Sequence, residues 1–242
     1  MKNIAIIGAR YNSKGVPNKN VKEIMGHPLI SYSIGAALLS KRIDHVIFTS
    51  DSPEYIKIAE KYGRNKLITI LRPPYLSEDE TPDHPYILHA LYHMSGLSLD
   101  DNVVLLRPTT PFRQASVIDK AIETLCMTGT DSLRSVVQSD FVAEKLYRTN
   151  DDGHIETCLG NTIDESNLPR GYFKSCFMSD GYVDVIKVKT LINKGFYGKT
   201  VLPFFIEEKT IDIDTPEDFN RASSVDTANE YKELFKYLES CK

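Results

Sequence analysis

The sequence lacks the features that mark membrane proteins and general nucleic-acid binders. No apolar run approaches the roughly 18 residues needed to cross a bilayer. The first apolar segment is too short for a signal peptide and has no cleavage site. The 29 basic and 33 acidic residues give a net charge of −4, whereas a nucleic-acid binder usually has a basic excess. We therefore expect no membrane association and no nucleic-acid partner, although a local basic pocket for an anionic metabolite is compatible with this composition.

Cysteine motifs are also missing. The four cysteines form no C-x-x-C pair and no zinc spacing: Cys126, Cys158, Cys176 and Cys241. We interpret them as reduced thiols of a cytoplasmic protein. No internal repeat or low-complexity linker divides the chain, so residues 1–242 are predicted to form one domain.

The sequence does contain a regular alternation of short apolar runs and helical patterns. Strands are predicted at residues 4–9, 45–50, 67–71, 102–106, 132–137 and 181–186, and helices at 29–40, 53–62, 82–94 and 115–127. This alternation predicts an α/β fold with a mostly parallel, doubly wound sheet in three layers. The carboxyl ends of the strands would meet at one edge, where ligands of such sheets bind.

Three hydroxyl residues stand before prolines at predicted helix starts. They are Ser52, Thr81 and Thr215, and each is expected to cap the helix that follows. Asp218 lies three residues after Thr215, as in a capping-box variant.

Residues 138–178 interrupt the alternation. The stretch contains a hairpin-like turn, Asn150-Asp151-Asp152-Gly153, between two possible short strands. An excursion of this length from a compact domain is usually functional or interfacial. Its aromatic residues Phe141, Tyr147, Tyr172 and Phe173 should bury apolar surface against a second copy, which predicts a symmetric homodimer.

A basic loop follows the first predicted strand. It runs from Gly8 to Asn20 and holds Arg10, Lys14 and Lys19 with two glycines. Such a loop can cradle phosphates, because glycine allows close backbone approach and the cations neutralise a polyphosphate. The P-loop and dinucleotide fingerprints are both absent, and a solvated basic loop is the alternative interpretation.

An acidic segment, Asp212-Ile213-Asp214-Thr215, lies near the other end of the chain. On an extended segment, Asp212 and Asp214 would point to one side and Ile213 into the core. Two carboxylates on one face suit Mg²⁺, which commonly takes one or two carboxylates plus substrate phosphates. A surface acidic pair before a capped helix is the alternative.

A stiff turn, Leu105 to Arg113, follows another buried strand. Its two prolines could present Arg107 and Arg113 to an anion. Arg113 could instead be a surface residue at the start of the next helix.

These segments together resemble the acylneuraminate cytidylyltransferases over nearly the whole chain. The loop around Arg10 to Asn20 resembles the family's A-R-x-x-S-K-x-x-x-x-K-N signature, and Asp212 to Thr215 matches its D-I-D-T. The weaker middle segments are Phe48 to Ser52, Leu71 to Pro73, Leu88 to Leu91, Leu105 to Arg113 and Arg170 to Gly181. The resemblance implies a fold like that of the nucleotide-diphospho-sugar transferases. It also implies that a nonulosonic acid is joined to CMP from CTP, with release of pyrophosphate.

The resemblance further implies roles for individual residues. Arg10 and Lys19 would be catalytic through their contacts with the CTP phosphates, with Ser13 and Lys14 supporting the loop. The general base is not identified, and Asp212 and a metal-bound water are the two catalytic candidates for it. Asn20 and Arg72 would contact the nucleoside, and Asp212 and Asp214 would hold Mg²⁺. Arg170 would meet the sugar carboxylate, and residues 138–178 would be the dimerisation arm.

Three residues on the sugar side depart from the family pattern. Arg107 replaces a glutamine, Asp180 replaces an asparagine before Gly181, and Met178 stands where a basic residue often lies. Arg107 could take over the carboxylate contact, or the pocket could suit a legionaminate- or pseudaminate-like sugar with an apolar C9 methyl. The apolar surface of Phe177 and Met178 favours the second explanation. The alternatives for the whole chain are a 3-deoxy-octulosonate cytidylyltransferase and a non-catalytic nucleotide-sugar-binding module.

Overall fold

A computed structural model describes residues 1–11, 15–207, 210–224 and 229–242 of the chain. The strands of these residues are β1 (Asn3–Gly8), β2 (Glu23–Ile24), β3 (His27–Pro28), β4 (His45–Ser50), β5 (Leu67–Leu71), β6 (Asn102–Leu105), β7 (Ser132–Gln138), β8 (Tyr147–Thr149), β9 (Ile155–Thr157), β10 (Phe177–Lys187) and β11 (Val201–Phe205). The helices are α1 (Leu29–Leu39), α2 (Pro53–Gly63), α3 (Asp83–Tyr92), α4 (Ala115–Cys126), α5 (Ile163–Ser166), α6 (Val188–Asn193), α7 (Pro216–Ser224) and α8 (Lys232–Glu239).

A seven-stranded sheet in the order β11-β7-β10-β6-β1-β4-β5 forms the centre of the fold. All strand pairs in it are parallel except those of β10, which is antiparallel to both β6 and β7. The predicted α/β fold with a mostly parallel sheet is confirmed. The strand predicted at residues 181–186 is longer than expected and runs in the opposite direction. Its amino-terminal half therefore reaches the edge where its neighbours end.

Helices cover both faces of this sheet. Ile7 and Phe48 pack on one face with α1, α2, α4 and α8, and Ile6 packs on the other face with α3 and α6. Burial of each such side chain contributes roughly 1.5–3 kcal/mol. Burial on both faces explains why the strands have continuous apolar sequences rather than alternating ones.

Two of the three predicted helix caps are present. The Ser52 hydroxyl accepts a hydrogen bond from the Tyr55 backbone N–H at 3.3 Å. Thr215 and Asp218 form the predicted reciprocal box before α7. The cap predicted at Thr81 is wrong: α3 begins only at Asp83, and the Thr81 hydroxyl donates instead to the Tyr75 carbonyl at 3.2 Å.

The excursion leaves the sheet between β7 and β10. The predicted hairpin is confirmed, because β8 and β9 pair antiparallel around the Asn150 turn. Phe141, Tyr147 and Tyr172 are exposed, whereas Phe173 is half-buried beside the Lys145 ammonium. The homodimer therefore stays a prediction. No helix of the described residues is long and apolar enough to cross a membrane.

Candidate active site

A cavity of about 330 Å³ lies at the carboxyl edge of the sheet. The predicted site residues that line it are Arg10, Lys19, Asn20, Arg72, Arg107 and Asp214. Ser13 and Lys14 lie outside the described residues. Arg170 is exposed on the excursion and does not line this cavity, so its contact with a sugar carboxylate stays a prediction.

Lys19 connects the basic loop to the acidic segment. It begins a short 3-10 turn after Asn18, which has a left-handed conformation with φ of 53°. Its ammonium donates to the Ile213 carbonyl at 2.6 Å and contacts Asp214 Oδ1 at 3.0 Å. Lys19 is only 8% exposed, and it lines the cavity. Two segments that are 194 residues apart in the sequence are thus joined at one point.

Gly15 explains how closely these two segments pack. A Cβ atom at this position would lie 2.3 Å from the Asp214 backbone oxygen, which is shorter than any real Cβ contact. The loop can therefore approach the acidic segment only with glycine here.

Arg10 and Asn20 belong to the same loop. The Arg10 guanidinium contacts Asp79 Oδ1 at 2.5 Å, and both side chains are partly exposed. The Asn20 amide donates to the Arg10 backbone carbonyl at 3.0 Å, so it holds the loop in shape. The predicted contact of Asn20 with the nucleoside stays a prediction.

Arg72 lines the cavity and has an unused hydrogen-bond donor. It is 4% exposed, its Nε donates to Ser77 Oγ at 2.7 Å, and its guanidinium lies 4.6 Å from the centre of the Tyr86 ring. Its Nη1 atom is buried and has no partner among the described residues. Burial lowers the pKa of Arg72 from its ordinary value. A buried donor without a partner is unfavourable, so an acceptor on a ligand would stabilise this arrangement.

The acidic segment has the predicted alternation, although it is not a strand. Ile213 is fully buried, and its backbone N–H donates to the Thr109 carbonyl at 2.9 Å. Asp212 and Asp214 are exposed on either side of it. The described residues contain no group of three or more His, Cys, Asp or Glu residues that could hold a metal ion. Two carboxylates still fit Mg²⁺ in donor type, because this ion commonly completes its shell with water and phosphate oxygens.

Arg107 is not the free cation that the sequence suggested. Its Nε and Nη2 donate to Asp83 Oδ2 at 3.1 and 2.7 Å, and its Nη1 donates to Asp184 Oδ2 at 2.8 Å. Burial by itself lowers the pKa of Arg107, but the attraction of Asp184 and Asp83 outweighs it and holds the pKa well above its ordinary value. These two carboxylates compensate its charge and would compete with a sugar carboxylate, so the predicted contact of Arg107 with the sugar stays a prediction.

Both roles predicted for Arg113 are wrong. It is 1% exposed, so it neither faces an anion in the cavity nor lies at the surface. Its guanidinium donates to carbonyl oxygens of four residues, Arg107, Thr110, Gly181 and Tyr182, and to the Ser33 hydroxyl. Burial lowers its pKa to about 10, which leaves the side chain charged at neutral pH. Arg113 thus holds the turn after β6 against β10.

Asp180 stabilises a bulge in β10. Its Oδ1 accepts from the Ser135 hydroxyl at 2.5 Å and from the Tyr182 backbone N–H at 3.1 Å. The next residue, Gly181, has a φ of 73°, and the pairing with β7 shifts between Ser179 and Asp184. An acid at this position therefore shapes the strand at the ligand edge.

Sequence reasoning missed several residues of this site. Asp83 lies in the first turn of α3, Asp184 is a buried acid within an apolar strand, and Asp79 follows the turn after β5. Asp184 could have been found from the sequence, because it is the one charged residue in the otherwise apolar run from Tyr182 to Ile186.

Known proteins share this architecture and sequence. A solved structure of CMP:2-keto-3-deoxy-manno-octonic acid synthetase complexed with CTP superposes with a TM-score of 0.68 at 15% identity, covering 95% of this chain and 100% of that one. This likeness shows the fold. The chain is 33% identical over 224 residues to an N-acylneuraminate cytidylyltransferase of Escherichia coli, covering 92% of this chain and 51% of the relative. It thus spans about half the length of that relative.

A second relative matches over nearly its whole length. This CMP-N,N'-diacetyllegionaminic acid synthase of Legionella pneumophila is 30% identical, over 90% of this chain and 94% of the relative. The family model described as cytidylyltransferase matches residues 4–236. Because this match and the cavity at the strand ends agree with the resemblance of the motifs, the chain belongs to the cytidylyltransferase family.

Proposed function

We propose that this cytidylyltransferase joins a nonulosonic acid to CMP from CTP and releases pyrophosphate. The observation that carries the proposal is the position of Lys19, whose ammonium connects the basic loop to the acidic segment at the cavity. The names of the relatives, which act on acylneuraminate and diacetyllegionaminate, support this acceptor class.

The cavity has two ends with different chemistry. The nucleotide end is formed by Arg10, Lys19, Arg72 and Asp214. The acceptor end is formed by Asp83 and Arg107, and the buried Asp184 lies behind it as a partner of Arg107. At the nucleotide end, Arg72 would donate its unused Nη1 hydrogens to the nucleoside. Arg10 and Lys19 would turn from their carboxylate partners to the triphosphate.

In the reaction, the anomeric hydroxyl of the acceptor attacks the α-phosphorus of CTP, and the bond from that phosphorus to the β-phosphate oxygen breaks. Lys19 and Arg10 stabilise the negative charge that develops on the phosphate oxygens. Asp212 is exposed near the Gly181 bulge and can accept the proton of the hydroxyl. Asp212 and Asp214 would hold Mg²⁺, which supplies charge compensation for the pyrophosphate group when it is bound.

The excursion supports a homodimer in this proposal. It exposes Phe141, Tyr147 and Tyr172, and its Arg170 is exposed and does not line the cavity of its own chain. A second copy would cover these rings, and Arg170 would then approach the acceptor in the partner's cavity. All four cysteines are free thiols, which is consistent with a cytoplasmic protein.

The test is pyrophosphate release with CTP, Mg²⁺ and a panel of acceptors. The panel contains N-acetylneuraminate, N,N'-diacetyllegionaminate, a pseudaminate and 3-deoxy-octulosonate. We expect turnover with at least one nonulosonate and much less with 3-deoxy-octulosonate or when UTP replaces CTP. Preference for 3-deoxy-octulosonate would assign the alternative enzyme. Binding of CTP without turnover of any acceptor would indicate a non-catalytic module.

A further inference from the structure

Arg134 is held beside the acceptor end but retains hydrogen-bonding capacity. It lies on β7, and its Nε is 3.6 Å from Asp184 Oδ1, which is too long for a hydrogen bond. This Nε atom is buried and has no hydrogen-bond partner in the described part of the chain. The guanidinium lies 4.8 Å from the centre of the Tyr197 ring. The side chain is 34% exposed, which leaves part of this cation accessible.

Arg134 does not line the cavity, but the strand register places it level with the acceptor end. Asp184 pairs with Arg134 on one side and with Leu105, two residues before Arg107, on the other. Asp184 also accepts from the Tyr197 hydroxyl at 2.9 Å. Asp184 therefore connects Arg107, which lines the cavity, to Arg134 on the next strand.

Distance along the sheet decides which part of the acceptor can reach Arg134. Three strand spacings separate β7 from β1, or about 14 Å. The reacting hydroxyl is attached to the anomeric carbon, which must lie beside the α-phosphate at the nucleotide end. In a 2-keto sugar acid the carboxylate is attached to that same carbon. The group nearest to Arg134 is therefore a substituent at the other end of the sugar.

We propose that Arg134 is a specificity-determining residue that donates to the carbonyl oxygen of an acylamido group at the end of the sugar remote from its anomeric carbon. This inference rests on the proposed function and narrows its acceptor to diacylamido nonulosonates. An arginine has only donors, so it matches an amide carbonyl oxygen, which only accepts, better than a hydroxyl, whose own donor would stay unpaired. Among the described residues, Arg107 is paired with Asp83 and Asp184, whereas Arg134 has a donor without a partner.

The experiment compares two acceptors at saturating CTP in the wild type, Arg134→Gln and Arg134→Lys. Wild type should prefer N,N'-diacetyllegionaminate to N-acetylneuraminate. Arg134→Gln should lower kcat/KM for the diacylamido sugar about 10- to 100-fold, as expected for a lost hydrogen bond from a charged group. The value for N-acetylneuraminate should change by less than about threefold, and KM for CTP should not change. Arg134→Lys should lose less than Arg134→Gln.

A matched control is Arg42→Gln, which removes an exposed arginine that is paired with Glu123 far from the cavity. It should leave both acceptors unaffected. Equal losses on both acceptors in Arg134→Gln would show a merely structural role, and no loss would show no role. Either result overturns the inference, as does a wild type without preference for the diacylamido sugar. Turnover by the wild type tests the proposed function. The ratio of kcat/KM between the two acceptors tests the role of Arg134, so either claim can fail without the other.

Discussion

The two ends of the cavity hold their cations in different ways. At the nucleotide end, Arg10 and Lys19 each contact one carboxylate, and that of Asp214 is 72% exposed. At the acceptor end, Arg107 contacts two carboxylates, and Asp184 is only 2% exposed. A pair whose carboxylate faces solvent contributes less to stability and can exchange partners more easily, whereas breaking a pair that has a buried carboxylate is costly. We infer that the nucleotide end is built to change its contacts during the reaction and the acceptor end is built to keep them.

The largest expected effect is on activity at the nucleotide end. Asp214→Ala should lower kcat by at least about 1,000-fold, equivalent to about 4 kcal/mol, because it removes one of two proposed Mg²⁺ ligands. Thermal unfolding should barely change, since Asp214 is exposed. Mg²⁺-dependent pyrophosphate release measures the first effect and calorimetry the second. Near-normal turnover in the folded variant would remove this carboxylate from the mechanism.

The next effect is on stability behind the acceptor end. Arg113→Met should lower the free energy of unfolding by about 3 to 4 kcal/mol, because it leaves several buried carbonyls without donors. Urea unfolding measures this loss. The exposed Arg221→Met serves as a matched control and should change little. A loss below about 1 kcal/mol would show that water replaces the guanidinium.

Lys19→Ala should affect catalysis more than binding. Its charge acts mainly on the transition state, so kcat should fall about 100-fold while KM for CTP changes only a few-fold. Steady-state kinetics with varied CTP separate the two constants. A change confined to KM would show that Lys19 binds the ground state and the transition state equally.

A smaller effect should follow when Arg107 is replaced. Arg107→Gln should lower the free energy of unfolding by about 2 kcal/mol, because Asp184 stays buried with less compensation. Adding Asp184→Asn should restore about half of this loss, since the buried charge is then gone. Chemical unfolding of both single variants and the double variant measures the coupling. If the losses of the two single variants simply add in the double variant, the pairing of Arg107 with Asp184 would be contradicted.

The smallest effect concerns the cap that follows the acidic segment. The pKa of Asp218 lies below its ordinary value because the Thr215 hydroxyl donates to it, as do the backbone N–H groups of Thr215 and Asp214. Thr215→Ala should cost about 1 kcal/mol at pH 7. A depressed folded-state pKa stabilises the protein above about pH 4, and this contribution is lost as the pH falls further. Thermal unfolding from pH 7 to pH 3 should show the difference between wild type and variant shrinking in acid.

The sequence predicts the fold better than it predicts the site. Buried strands have recognisable apolar runs in the sequence. Because the strand ends meet at one edge, the sequence also predicts that the basic loop and the acidic segment lie close together, as the contact of Lys19 with Asp214 confirms. The partners of Arg107 lie 24 and 77 residues away, and no local pattern connects them. The burial of Arg113 depends on carbonyls of β10, a strand whose direction the sequence leaves open. Arg170 is at the surface of the chain, and no contact within the described residues tests the role predicted for it.

The antiparallel strand β10 also separates two groups of residues along the chain. The residues of the nucleotide end follow β1 and β5 or belong to the segment after β11, and they do not involve the strands from β7 to β10. Asp184 and Arg134 lie on the two strands that lead into and out of the excursion. A recombinant in which residues 131–205 come from a relative would therefore exchange Asp184, Arg134 and the arm together, while Asp83, Arg107 and the proposed triphosphate site stay parental. One contiguous stretch of the gene thus encodes the arm and the part of the acceptor end that lies on β7 and β10.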